Sequence, residues 1–141
     1  MTTLPDMAGT PRIVEIKGKE YKVSPLDIDD LAEFETIVRM ERNKALFRSL
    51  KDSGLENEVI AEAIGATAAK PVSIKDIDDN MGSMIGTRFL MWSALKKNHP
   101  EIKLEEMGKL ITLENFEDVK KVVSELGGKA VKERKNVSRS L

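Results

Sequence analysis

The residues best equipped for chemistry are few. His99 is the only imidazole in the 141-residue chain. It stands beside Pro100 and just ahead of Glu101, Glu105 and Glu106. A histidine flanked by carboxylates is the minimum for general acid–base catalysis, because one group orients the ring that moves the proton. Asp76, Asp78 and Asp79 form a second acidic cluster, of the kind that binds divalent cations. Neither constellation is complete. A lone histidine excludes a His-rich metal site, and the Asp cluster lacks the glycine and terminal glutamate of a calcium loop. With no cysteine in the chain, thiolate catalysis, disulfides and Cys-based metal sites are excluded. The sequence contains no P-loop, no G-x-G-x-x-G after a strand, no H-E-x-x-H and no G-x-S-x-G. Both acidic clusters fall at expected helix starts, where carboxylates complement the helix dipole. His99 falls at an expected helix end, where a histidine caps the last carbonyls. The pattern argues against an enzyme and against a bound metal or cofactor.

The elements that would carry these residues are mostly helical. Aromatic residues make up only 4% of the chain, so a core must be built from Leu, Ile, Val, Met and Ala. The expected architecture is mainly α: a compact multi-helix domain with a short N-terminal β-hairpin and a disordered basic C-terminal tail. Residues 1–11 read as a flexible N-terminus, 12–126 as the helical domain and 127–141 as the tail, which holds five Lys/Arg against one Glu. Within the domain the patterning predicts a hairpin over 12–23, with Gly18-Lys19 as a two-residue turn. Helices are predicted over 27–50, 56–69, 74–97, 104–111 and 113–126. Asp27, Asp29 and Asp30 suit the start of the first, Ser53-Gly54 its end, and Pro71 closes the second. Ser73 with Asp76 three residues on is a capping box for the third, and Thr112 is an N-cap for the last. A two-stranded hairpin is marginal alone, so this one must pack on a helix or on a partner's sheet.

The third predicted helix carries one broad apolar stripe through Ile74, Ile77, Met81, Met84, Ile85, Phe89, Trp92 and Leu95. Gly82 and Gly86, one turn apart, either let a neighbouring helix approach closely or form a groove or hinge that admits a partner segment. Methionine makes such a surface adaptable, and Met81, Met84, Ile85, Phe89 and Trp92 are the candidate partner-binding residues. The competing expectation is that Phe89 and Trp92 belong to the core, since aromatics are scarce.

Nucleic acid and membrane are poor partners on this sequence. Residues 59–72 have a faint helix-turn-helix pattern, with Ala61 and Gly65 suitably placed. Pro71 would then fall inside the recognition helix, which would carry little positive charge and three nearby aspartates. The net charge of −1 does not draw the chain to polyanions. The longest apolar run, 84–95, is interrupted by Arg88 and falls short of the ~20 residues of a membrane span. The first residues have neither the basic nor the apolar region of a secretory signal. A soluble intracellular protein is expected.

The string Arg88-Phe89-Leu90-Met91-Trp92-Ser93-Ala94-Leu95, then Asn98-His99-Pro100-Glu101-Ile102, Leu104-Glu105-Glu106-Met107-Gly108-Lys109-Leu110-Ile111 and Leu113-Glu114-Asn115-Phe116, resembles the tail assembly chaperones of long-tailed bacteriophages and prophages. Gly18-Lys19-Glu20-Tyr21 and the segment Leu26-Asp27-Ile28-Asp29-Asp30-Leu31-Ala32-Glu33-Phe34-Glu35 resemble the opening of that family. The likeness covers 12–34 and 88–126. It implies a non-enzymatic helical chaperone that binds the tape measure protein and recruits tail tube subunits. It also implies action in the host bacterial cytoplasm and absence from the mature virion, with self-association as a further expectation. The alternatives are a structural tail or head–tail component of the virion, or a helix-turn-helix DNA-binding regulator.

Overall fold

The β-branched run Arg12–Ile16 and the alternating run Lys19–Val23 flank Lys17-Gly18, and in the computed structural model, which describes residues 11–127, they form an antiparallel hairpin. β1 (Arg12–Ile16) pairs with β2 (Lys19–Val23) in the register Ile16–Lys19, Val14–Tyr21, Arg12–Val23. The turn is therefore Lys17-Gly18, one residue earlier than the expected Gly18-Lys19. Both turn residues have positive φ, 53° and 79°. That combination matches the right-handed twist of the flanking strands, and Gly18 adopts it without steric cost. Ile16, Tyr21 and Val23 are buried beneath the hairpin, so it packs on helices, one of the two solutions expected.

α1 (Ile28–Asp52) begins as expected. Asp27 accepts from the Asp30 N–H while Asp30 accepts from the Asp27 N–H. Lys97 Nζ lies 2.6 Å from Asp30 and 3.4 Å from Asp27. Burial acts to raise the Asp27 carboxyl, but the Asp30 N–H bond and the Lys97 cation outweigh it and hold its pKa below the usual carboxylate value. Only the first half of α1 enters the core, through Leu31, Phe34 and Val38. The second half is covered by α2 (Asn57–Ala68), after a break at Ser53-Gly54 where Gly54 has φ 76°. Arg42 on α1 donates to the Thr67 and Lys70 carbonyls (3.1 and 2.9 Å), supplying partners that the end of α2 lacks.

The predicted helix 74–97 is two helices. α3 (Ile74–Met81) keeps the Ser73–Asp76 capping box, and α4 (Met84–Lys96) restarts with Ser83 as its N-cap, accepting from the Gly86 N–H at 3.0 Å. The break is stitched by side chains: Ser83 Oγ donates to the Asn80 carbonyl (2.7 Å) and Thr87 Oγ1 to the Met81 carbonyl (3.2 Å). Serine competes well for backbone groups at such a junction, a signal that the continuous apolar spacing concealed. The stripe from Ile74 to Leu95 is consequently not one face. Gly86 needs its hydrogen: a Cβ there would overlap the Asn80 carbonyl oxygen and lie 3.1 Å from Phe34 Cζ. The Gly82/Gly86 pair thus marks a fixed break between helices, with close packing at Gly86.

α4 is the central element, buried on nearly every side through Phe89, Leu90, Met91, Ala94 and Leu95. Its end and the end of α6, which spans 116–127, are tied to one segment. Ser24 N–H donates to the Ala94 carbonyl and Leu26 N–H to the Leu126 carbonyl, both at 3.0 Å. Two helix C-terminal carbonyls are satisfied on either side of Pro25, which fixes the hairpin against the helices. The predicted helix 104–111 is a 3₁₀ turn (Leu104–Glu106) followed by one turn of helix, α5 (Met107–Leu110). The predicted helix 113–126 starts three residues late. Thr112 and Asn115 exchange side-chain to backbone hydrogen bonds (2.7 and 3.3 Å) and form a turn ahead of it. The fold class is as expected: mainly α with an N-terminal hairpin. The flexible N-terminus and basic tail fall almost wholly outside the described residues.

Candidate partner-binding surface

α4 positions the candidate residues, and its break from α3 distributes them. Met84 and Ile85, on the first turn, are exposed (64% and 42%). Met81 and Trp92 are half-buried against the core, and Phe89 is buried. Phe89 stacks on Phe34 at 6.2 Å between ring centroids and is not part of the surface. Trp92 donates from Nε1 to the Ile102 carbonyl (3.0 Å), with Lys96 Nζ 4.4 Å above its ring. Both polar and apolar parts of Trp92 are thereby engaged within the fold. Of the five candidates, Met84 and Ile85 form the outward surface.

Met84 stands on a ridge between two open grooves. One, about 350 Å³, runs between α1 and the α3–α4 break, lined by Phe34, Ile37, Ala45 and Ile85 with Glu41 among the polar groups. The other, about 210 Å³, lies between α4, α5 and the start of α6, lined by Met107, Ile111, Leu113 and Phe116 with Arg88. Leu113 is 84% exposed. Large, well-exposed apolar side chains beside apolar grooves make this face the candidate for an interaction surface. Glu41, which also pairs with Lys44 at 3.5 Å, and Arg88 give the two grooves charges of opposite sign. Leu113 and Ile37 were not among the sequence candidates: their spacing matches ordinary helix periodicity, and only the fold reveals which face is left uncovered. Further exposed apolar residues are Met40 and Phe47 on α1, Leu55 in the connection that follows, and Val59 on α2.

No family model, curated protein or solved structure matches the chain.

The residues with chemical potential are dispersed. His99 Nε2 accepts from the Lys22 N–H (3.0 Å), its ring meets Tyr21 edge-on at 5.6 Å, and Nδ1 faces Glu101 at 3.5 Å. Its side chain therefore closes the β2 edge instead of capping α4. Asp76 serves its capping box. Among the described residues no group of three or more His, Asp or Glu is placed to hold a metal ion. Nor, among them, is any helix long and apolar enough to cross a membrane.

Proposed function

We propose that this protein is a tail assembly chaperone of a long-tailed phage or prophage. It holds the tape measure protein while tail tube subunits are recruited, acts in the host bacterial cytoplasm and is left out of the finished particle. The observation that carries this reading is the Met84–Ile85 ridge between two apolar grooves, on the helix that also bears much of the family-like string. A tape measure protein is a long amphipathic helix whose apolar face is uncovered until the tube encloses it. Helix-in-groove recognition meets that need, because a helix presents apolar residues at i, i+3 and i+4 to adjacent hollows. Methionine at the ridge tolerates varied partner sequence along the length of such a helix. Phe89 and Phe34 behind the ridge keep it rigid, which limits the ordering cost of binding. Co-expression with the tape measure protein encoded in the same tail gene cluster tests the reading. The partner should become soluble and co-purify, and mass spectrometry of finished particles should lack this chain. Finding it as a stoichiometric particle component would identify a structural tail protein instead.

A further inference from the structure

We propose that β1 pairs edge to edge with β1 of a second copy of this chain, joining two hairpins into a four-stranded antiparallel sheet. The hairpin has two edges, and that of β2 is partly closed: Lys22 N–H is taken by His99 Nε2 and, just past the strand, Ser24 N–H by the Ala94 carbonyl, both at 3.0 Å. Because Lys22 directs its N–H away from β1, the Ile13–Lys22 pair is a non-hydrogen-bonded one. Alternation along an antiparallel ladder then assigns the ladder bonds to Arg12–Val23, Val14–Tyr21 and Ile16–Lys19. The backbone groups of Ile13 and Glu15 point outward from the other edge, and among the described residues none of them meets a backbone partner. Ile13 is itself 59% exposed. An open groove of about 330 Å³ lies between β1 and α6, with Val14, Ile16, Val119 and Val122 on its walls, and Arg12 reaches Glu125 at 2.7 Å.

An open strand edge is closed most readily by another strand. A second copy supplies one by symmetry. With a two-fold axis through Val14, Ile13 of each chain faces Glu15 of the other, so the outward N–H and C=O groups of both residues find their complements. In that register Val14 meets Val14 and Arg12 meets Ile16, and no like charges are opposed. Moving the axis to Glu15 would set two carboxylates face to face, which disfavours that alternative. A two-stranded hairpin is marginal, and the pairing would double its sheet.

The test is sedimentation equilibrium of the full chain across a concentration series, with two variants. The wild type should move toward twice its 15.7 kDa mass as concentration rises. Glu15→Pro should stay monomeric with the circular dichroism of the wild type, since this N–H takes no part in the hairpin and proline is tolerated on an edge strand. Val14→Cys, in a chain with no other cysteine, should form a disulfide-linked dimer in oxidising buffer, whether or not the proline variant folds. A wild type that stays monomeric throughout overturns the proposal. So does a dimer that survives Glu15→Pro and gives no crosslink at Val14→Cys, which would put the interface on another face.

Discussion

Gly86→Ala isolates the feature that most separates this fold from its sequence pattern. In a helix the change ordinarily gains about 0.8–1.0 kcal/mol. Here the new methyl would overlap the Asn80 carbonyl oxygen, sit 2.9 Å from the Asn80 carbonyl carbon and 3.1 Å from Phe34 Cζ. Overpacking costs about 1–3 kcal/mol, and the upper end applies because the obstacle is backbone that cannot rotate away. The net expectation is a loss of about 2 kcal/mol, or a melting temperature lower by about 6–8 °C for a chain of this size. Two other glycines serve as controls. Gly82→Ala meets only the flexible end of Lys120, at 2.9 Å, and should be close to neutral. Gly65→Ala meets nothing within 4 Å in exposed α2 and should stabilise by about 0.8–1.0 kcal/mol. Thermal melts followed by circular dichroism give all three. A Gly86→Ala protein that melts at or above the wild type would refute the break between α3 and α4 and restore a single helix over 74–97.

Further predictions concern the segment between the hairpin and α1. His99→Phe keeps the ring against Tyr21 but removes the acceptor for Lys22 N–H, costing about 1 kcal/mol; Lys22 amide exchange should accelerate while that of Tyr21, paired with Val14, does not, and unchanged Lys22 protection would contradict the assignment. In the neutral imidazole the same bond requires the proton on Nδ1, and nitrogen chemical shifts should show that tautomer. Lys97→Met strands the buried Asp30 carboxylate; because Lys97 is itself about one-third exposed, the expected loss is about 1–2 kcal/mol, below the ~3–5 typical of fully buried pairs. Asp27 has a lowered folded pKa, so its stabilising contact with Lys97 is complete above its ordinary value of 3.8 and disappears as pH falls through the lower folded value. Denaturant titrations from pH 7 to pH 2 should show the gap between wild type and Lys97→Met narrowing at the acid end.

The parts legible in the sequence are those decided within a few residues. Asp27 and Ser73 announce their helices because an N-cap and its third neighbour satisfy each other locally. Gly54 announces a stop because its backbone needs positive φ. The turn at Lys17-Gly18 lies one residue from the place the sequence pattern indicates, because a lysine with positive φ is uncommon and the choice is made by strand twist. The break at Gly82-Ser83 is hidden in the sequence because apolar spacing runs through it unbroken, while the deciding bonds, Ser83 to Asn80 and Thr87 to Met81, depend on how two helices meet. His99 fits a cap by its position at a helix end; its actual partner, Lys22, is 77 residues away in sequence. The same limit applies to the surface. Met84 and Phe89 are equivalent as apolar residues on a stripe, and only the position of Phe34 buries one and leaves the other outside.

On the proposed function, the Met84–Leu113 face holds an apolar helix of the tape measure protein. Its most direct test is the soluble yield of that protein when co-expressed with wild-type chain or with the double variant Met84→Asp, Leu113→Asp. Both positions are exposed (64% and 84%), and an aspartate on the first turn of α4 suits the helix dipole, so the variant should fold. The wild type should keep the partner soluble and bound, and the variant, with an unchanged melting temperature, should lose both effects. Equal rescue by a folded double variant would contradict it.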